Sequence, residues 1–242
     1  MSYALGFHAV REVLEHHPER VRSVYYTRGR RDARVQEIIA LAKSAGARFE
    51  AVDRQWLDAR VEGKHQGVAA LCHAVAVQDE GAFEALFESL ERPRFLLLLD
   101  GVSDPRNLGA CLRSADAAGV QAVLWPERNS APVNDLARKT AAGGAERLPL
   151  FSVKNLARRL SWLKDQGVWL IGADEGGDVL WSEADLSGDI AIVMGSEGKG
   201  LRRLTREACD VVASIPMQGS VASLNVSVAT GVMLFEAVRQ RK

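Results

Sequence analysis

Three short clusters hold the side chains with which this sequence could do chemistry: Asn107-Leu108-Gly109 with Arg113, Gly195-Ser196-Glu197-Gly198-Lys199-Gly200, and Ser220-Val221-Ala222-Ser223-Leu224-Asn225. Amides, hydroxyls, one carboxylate and one guanidinium would suit a composite site for a polar ligand. Three glycines in six residues let backbone N–H and C=O groups approach such a ligand closely. The loop is not a Walker loop, because Lys199 is followed by Gly200 and Leu201, and it lacks the GxGxxG dinucleotide pattern. The histidines, His8, His16, His17, His65 and His73, all lie in the first third of the chain. With no Ser-His-Asp, Cys-His, HExxH or CxxC arrangement, hydrolytic nucleophilic catalysis and a zinc site have little support.

Each cluster also has a simpler reading. Leu108, Cys111, Leu112 and Ala115 form a helical core stripe, and Arg113 falls about 140° from Leu108, so it is either a functional side chain or a solvated one. Asn107, Ser220 and Ser223 could each be a helix N-cap. Glu197, the only carboxylate of the three clusters, could be solvated in its turn.

Elements that could bring the clusters together are visible in the hydrophobic pattern. After Pro93, five apolar strands are expected at 95–99, 122–125, 168–171, 190–194 and 211–215. Helical patterns at 108–118, 133–142, 154–166 and 201–208 separate them. Continuous apolar strands between helices indicate a parallel sheet covered on both faces, and loops beyond its strands meet at one edge. The last helix, about 224–239, is apolar on nearly every side, which implies enclosure in the fold or against another subunit.

The first 77 residues alternate helix (8–17), strand (23–27), helix (32–44), strand (49–52), a short helix after Asp53 and a strand at 68–77. They read as a small α/β domain. Phe83, Leu86, Phe87 and Leu90 then mark an amphipathic connector helix over 78–93, leaving 94–242 as the larger domain.

Composition narrows the class. The 242 residues are 47% hydrophobic and 26% charged, with zero formal net charge, as in an ordinary globular protein and unlike one that coats nucleic acid by bulk electrostatics. Residues 1–77 hold 12 Lys/Arg and 9 Asp/Glu, a slight basic excess. Local clusters occur at Arg28, Arg30 and Arg31, at Arg202, Arg203 and Arg206, and at Arg239, Arg241 and Lys242. No apolar run approaches the roughly 20 residues that span a bilayer, and no signal-peptide pattern is present. Cys72, Cys111 and Cys209 are dispersed, which suits buried thiols in a reducing compartment. A cytoplasmic location without membrane or metal partners is the expectation.

Together the three clusters resemble the motifs of the SpoU family, knotted RNA ribose methyltransferases of the SPOUT superfamily that use S-adenosyl-L-methionine. Asn107-x-Gly109-x-x-x-Arg113 is similar to the first motif, Met194 through Gly200 to the second, and Ile215-Pro216-Met217 through Ser223-Leu224-Asn225 to the third. Similarity extends to Gly6-Phe7-His8-Ala9-Val10 and His65-Gln66-Gly67. It points to the bacterial members that methylate the ribose 2′-oxygen of a guanosine in the P-site loop of 23S rRNA. The resemblance implies a ribosomal-protein-like RNA-binding domain at the N-terminus, a C-terminal parallel-sheet domain with a deep trefoil knot, and a homodimer with composite sites. It further implies that Gly195, Ile215 and Leu224 hold the cofactor. Asn107, Glu197, Ser223 and Asn225 would shape the reaction site and Arg113 would be the catalytic arginine, as general base or as electrostatic clamp. A tRNA ribose methyltransferase of the same family and a catalytically silent RNA-binding assembly factor are the alternatives.

Overall fold

The computed structural model describes residues 2–29, 32–61, 63–73 and 76–242. Arg30 and Arg31 of the first arginine cluster therefore lie outside the described residues, as do 74 and 75 of the strand expected at 68–77. The chain divides into two units, Met1–Val75 and Ala76–Lys242.

The first unit runs β1 (Ser2–Leu5), α1 (Phe7–His16), β2 (Val21–Thr27), α2 (Ala33–Ser44), β3 (Arg48–Val52), α3 (Arg54–Asp58) and β4 (Val68–Cys72). Its sheet order is β1-β4-β2-β3, with β4 antiparallel to both neighbours and β2 parallel to β3. Alternation along β4 divides the core. Val68, Ala70 and Cys72 pack with Val10, Val13, Leu14 and Ile38, whereas Ala69 joins Val52 and Leu57 on the other side, as the two-residue period of a strand requires. The Asp32 side chain caps α2 by accepting from Val35 N. Asp53 precedes α3 but makes no side-chain cap.

The second unit runs β5 (Val77–Gln78), α4 (Glu80–Ser89), β6 (Phe95–Leu99), α5 (Pro105–Ala117), β7 (Ala122–Pro126), α6 (Asp135–Ala141), α7 (Gly144–Arg147), β8 (Leu150–Val153), α8 (Leu156–Asp165), β9 (Trp169–Ala173), β10 (Val179–Leu180), β11 (Ile190–Met194), α9 (Arg203–Ala208), β12 (Val211–Ser214) and α10 (Val226–Gln240). The eight-stranded sheet has the order β10-β12-β9-β11-β6-β7-β8-β5, and its strand pairs are parallel. Every residue of β6, β7 and β11 is buried, because helices cover both faces. The strand expected at 68–77 is two strands: β4 belongs to the small sheet, and β5 pairs with Leu150 and Phe151 of the large one. The connector helix is likewise integral to this unit. Phe83 and Phe87 of α4 meet Phe151 and Trp162 at ring-centroid distances of 5.3 and 5.1 Å.

Helix α10 packs against α5, where the Cys111 thiol and the Thr230 hydroxyl lie 3.4 Å apart. At its far end Gln240 accepts from Leu186 N and donates to Ala184 O. Enclosure is incomplete. Val228 and Phe235, seven residues apart and therefore on one face, are 52% and 51% exposed.

Candidate active site

Parallel strands end at a common edge, and three of their exits carry the clusters: β6 leads to Asn107, β11 to Gly195 and β12 to Ile215. The three motifs converge there. Asn107 Nδ2 donates to Glu197 Oε2 at 3.0 Å, and Asn225 Nδ2 donates to Glu197 Oε1 and Asn107 Oδ1, both at 3.1 Å. Glu197 is thus held by two carboxamides in the described structure, not merely solvated in its turn.

Local capping places these groups. Asp104 caps α5 by accepting from Arg106 N at 2.6 Å, so Asn107 is not the cap; it lies inside the first turn with its side chain free to reach Glu197. Asn225, rather than Ser220 or Ser223, caps α10: its Oδ1 accepts from Ser227 N at 2.9 Å and from Ser227 Oγ at 2.6 Å.

The glycines of the motifs serve packing more than ligand approach. A Cβ at Gly109 would overlap the Ala137 carbonyl and sit 2.8 Å from Thr140 Cβ, so this residue lets α5 and α6 come together. The loop after β11 closes on itself through paired Ser196 and Gly200 backbone hydrogen bonds of 3.0 Å. A Cβ at Gly195 would overlap the Gly200 and Leu201 backbone, and one at Gly200, where φ is +62°, would overlap the Asp174 carboxylate. Of the three loop glycines, Gly198 alone faces open space.

Two carboxylates that the motifs do not reveal anchor the exit of this loop. Asp174 Oδ2 accepts from Leu201 N at 2.9 Å, and Oδ1 pairs with Arg206 at 3.3 Å. Asp100, fully buried, accepts from Arg202 N at 3.1 Å and lies 3.5 Å from Arg202 Nε. Their only sequence signal is position, each standing immediately after a strand.

A cleft of about 240 Å³ opens beside the cluster. Met194, Ile215, Met217, Leu224 and Ala229 give it apolar walls, and Asp174, Glu175 and Glu197 line it with carboxylates. Gly195, Ile215, Ser223 and Leu224 all contribute to the lining. That donor set fits a ligand with a flat apolar part and a cationic part.

Arg113 is elsewhere on α5. It lies six residues beyond Asn107, about 9 Å along the helix and about 120° around it, and it is not among the residues lining the cleft. Its side chain is exposed and makes no hydrogen bond or ion pair among the described residues. The structure therefore joins Asn107, Glu197 and Asn225, places Gly195, Ile215, Ser223 and Leu224 around the cleft, and leaves Arg113 outside it within one chain. Among the described residues no group of three His, Cys, Asp or Glu side chains could hold a metal ion, and no helix is long and apolar enough to cross a membrane.

Residues 94–235 match the SpoU rRNA Methylase family, and residues 3–78 match a domain described as RNA 2′-O ribose methyltransferase substrate binding. A 23S rRNA (guanosine-2′-O-)-methyltransferase RlmB from Yersinia pestis is 53% identical over 237 residues, covering 98% of this chain and 96% of its own. The crystal structure of the SpoU methyltransferase AviRb from Streptomyces viridochromogenes, in complex with the cofactor AdoMet, superposes with a TM-score of 0.81 at 25% identity, covering 99% of this chain and 89% of that one. The A. aeolicus TrmH/SpoU tRNA modifying enzyme, at 31% identity and a TM-score of 0.57, covers 67% of this chain and 83% of its own.

Proposed function

The chain belongs to the SpoU rRNA methylase family, and from that premise we propose that it methylates the ribose 2′-oxygen of a guanosine in the P-site loop of 23S rRNA, with S-adenosyl-L-methionine as methyl donor. The observation that carries the reading is the hydrogen-bonded Asn107–Glu197–Asn225 cluster, which ties the three motif segments together beside a cleft lined by the second and third of them. Ribosomal RNA is favoured over tRNA by coverage. The similarity to the RlmB relative spans both units, whereas that to the tRNA modifying enzyme covers two thirds of the chain. On this reading residues 1–77 bind substrate RNA, 78–93 connect, and 94–242 form the catalytic domain, in the cytoplasm where rRNA is made.

The cofactor supplies a methyl group on a sulfonium, and the cleft suits it: Gly195, Ile215 and Leu224 would hold the adenosyl part while the carboxylates face the cationic part. Methyl transfer forms a bond from the ribose 2′-oxygen to carbon as the carbon–sulfur bond breaks in line, so alignment of the two reactants lowers the barrier by several kcal/mol. Asn107, Asn225 and Glu197 shape the place where they meet. The 2′-hydroxyl must also lose its proton. A guanidinium is a fixed charge and a poor proton acceptor, so Arg113 is assigned to stabilising the developing alkoxide and the neighbouring phosphate. Ser223, exposed on the cleft wall, would pass the proton to solvent.

Since Arg113 lies outside the cleft of its own chain, the active form is a homodimer in which the partner subunit's Arg113 completes each site. The exposed Val228 and Phe235 supply an apolar face for that dimer. The last helix, lodged between α5 and the 184–186 segment, is read as the strand of the trefoil knot that passes through a loop of the chain.

Incubation with methyl-labelled S-adenosylmethionine and separated 23S rRNA and tRNA, followed by mapping of the modified nucleotide, tests the proposal. A 2′-O-methylguanosine in the P-site loop is expected. Label on tRNA or on a base would replace this reading with another, and no transfer at all would favour the silent assembly factor.

A further inference from the structure

We infer that the small unit carries a pocket for one unpaired ribonucleotide and its phosphate, held by Arg34 and Arg54 against the His65-Gln66-Gly67 turn. The inference rests on the reading of this unit as the substrate-binding one and adds a site to it.

The turn is built to be rigid. His65 is buried, with Nδ1 accepting from Gly67 N at 3.1 Å, which leaves the proton on Nε2 to be donated to Asp58 Oδ1 at 2.8 Å. Gly67 O in turn accepts from Thr27 N at 2.9 Å and from Thr27 Oγ1 at 3.3 Å. So constrained, Gln66 sits at φ +52° and Gly67 at +83°. A non-glycine residue held at positive φ costs about 1 kcal/mol or more and persists only where its surroundings impose it. Gly6 backs the same turn, since a Cβ there would come 3.4 Å from Gln66 Oε1. The two N-terminal motifs, distant in sequence, thus form one structure.

Beside it lies a recess of about 390 Å³ lined by Phe7, Thr27, Arg34, Arg54, Gln66 and Gly67. Among the described residues, two guanidiniums enter this lining and no carboxylate does. Arg34 has no hydrogen bond or ion pair among the described residues, and Arg54 meets Asp58 only at 4.0 Å, with both side chains largely exposed. Like charges in one recess are balanced by an anion, and planar guanidiniums match phosphate oxygens two at a time. The half-buried Phe7 ring and the Gln66 carboxamide add an apolar plane and a donor–acceptor edge, the two features by which proteins read a splayed-out base. A base stacked in a duplex presents neither its face nor its pairing edge, so the occupant is unpaired.

Free nucleotides share this chemistry, and the test separates the sources. Full-length wild type and the Arg34→Ala/Arg54→Ala double variant would be titrated with a labelled single-stranded RNA, a duplex of the same sequence, and guanosine monophosphate, across a salt series. Methylation of 23S rRNA and S-adenosylmethionine affinity would be measured in parallel. The wild type should bind single strands about tenfold more tightly than duplex or mononucleotide. The double variant should lose about tenfold in single-strand affinity, with a salt slope lower by about 1 to 2. Its KM for rRNA should rise about tenfold at unchanged kcat, cofactor affinity and thermal midpoint. Replacing both arginines with lysine should restore the salt slope and only part of the affinity.

An unchanged single-strand affinity and salt slope in the double variant would overturn the inference. So would equal binding of duplex, or mononucleotide binding as tight as that of the strand. If the wild type transferred no methyl group to 23S rRNA, the proposed function would fall while the three binding arms still decided the pocket.

Discussion

Asn225 and Asn107, separated by 118 positions in the chain, are joined by a side-chain hydrogen bond of 3.1 Å, and the same Asn225 nitrogen reaches Glu197 at 3.1 Å. One carboxamide therefore links all three motifs with its nitrogen and starts the last helix with its oxygen. Asn225→Asp should preserve the helix cap, since aspartate caps as well as asparagine, yet set a carboxylate against Glu197. Methyl transfer should fall by about 100-fold with little change in unfolding free energy. Asn225→Ala should lose both functions, with about 1 kcal/mol of stability. Steady-state methylation and urea unfolding separate the two outcomes.

Arg113 gives the sharpest test of the site's composition. Arg113→Ala should reduce kcat by about 100-fold or more while leaving cofactor affinity intact; loss of cofactor binding would remove it from its assigned role. Mixed dimers of Arg113→Ala and Glu197→Ala chains should regain activity that neither parent shows, because one of the two sites then has a full set of residues. Failure to regain any would place arginine and cleft in the same subunit. For Arg113→Lys, a rate that falls as lysine loses its proton near pH 10 indicates a clamp, and a rate that rises there indicates a base.

Introducing charge on the exposed face of α10 should separate the subunits. Val228→Asp with Phe235→Asp replaces two half-exposed apolar side chains with carboxylates that an apolar interface cannot accommodate. Light scattering should report a monomer and methylation should be lost, with cofactor affinity as the measure of what a single chain retains.

Removing Asp174 should weaken cofactor binding twice over, by loosening the glycine loop and by taking a carboxylate from the cleft wall. Asp174→Ala leaves Leu201 N and Arg206 without their carboxylate. A rise of about tenfold in the cofactor dissociation constant, and a loss of about 1 to 3 kcal/mol, are expected by calorimetry and denaturant unfolding.

Burial raises the Cys111 thiol to about 11, with the Thr230 hydroxyl opposing the shift, and raises Cys209 to about 12, with Asp210 adding to the effect. Both exceed the ordinary value of 9.0, so the folded chain holds these protons after the unfolded chain has released them. Their stabilising contribution is complete below pH 9 and is lost as pH rises from there towards 11 and 12. The expected decline is up to about 1.4 kcal/mol per pH unit for each thiol. Denaturant unfolding from pH 8 to 11 checks the slope, and neither thiol should react with alkylating reagents in the folded state at pH 8.

The chemistry was legible in the sequence because it sits in contiguous motifs, and the central strands because Phe95–Leu99 and Ile190–Met194 are unbroken apolar runs. Other features depend on what a residue meets in space. Leu150–Val153 is a strand of four residues just after two short helices, too brief to declare a period. Val68–Val77 looked continuous because both of its ends are β-formers, although they pair in different sheets. Asn107 and Ser223 had plausible capping roles that Asp104 and Asn225 fill instead, a choice set by backbone dihedrals rather than by residue type. Gly195 and Gly200 read as ligand-approach glycines, but the crowding that requires them comes from the loop's own backbone and from Asp174, which periodicity cannot place. The position of Arg113 outside its own cleft was equally hidden, since helical spacing relates it to Leu108 and not to a cavity.

Because Asn225 is both the first support of α10 and a member of the reaction cluster, the site exists only once that helix has docked. A molecule stalled before that point would hold Asn107 and Glu197 with no third partner and an incomplete cleft wall. Competence to modify RNA is thereby tied to the seating of that helix, and enzymatic turnover becomes a direct reporter of it.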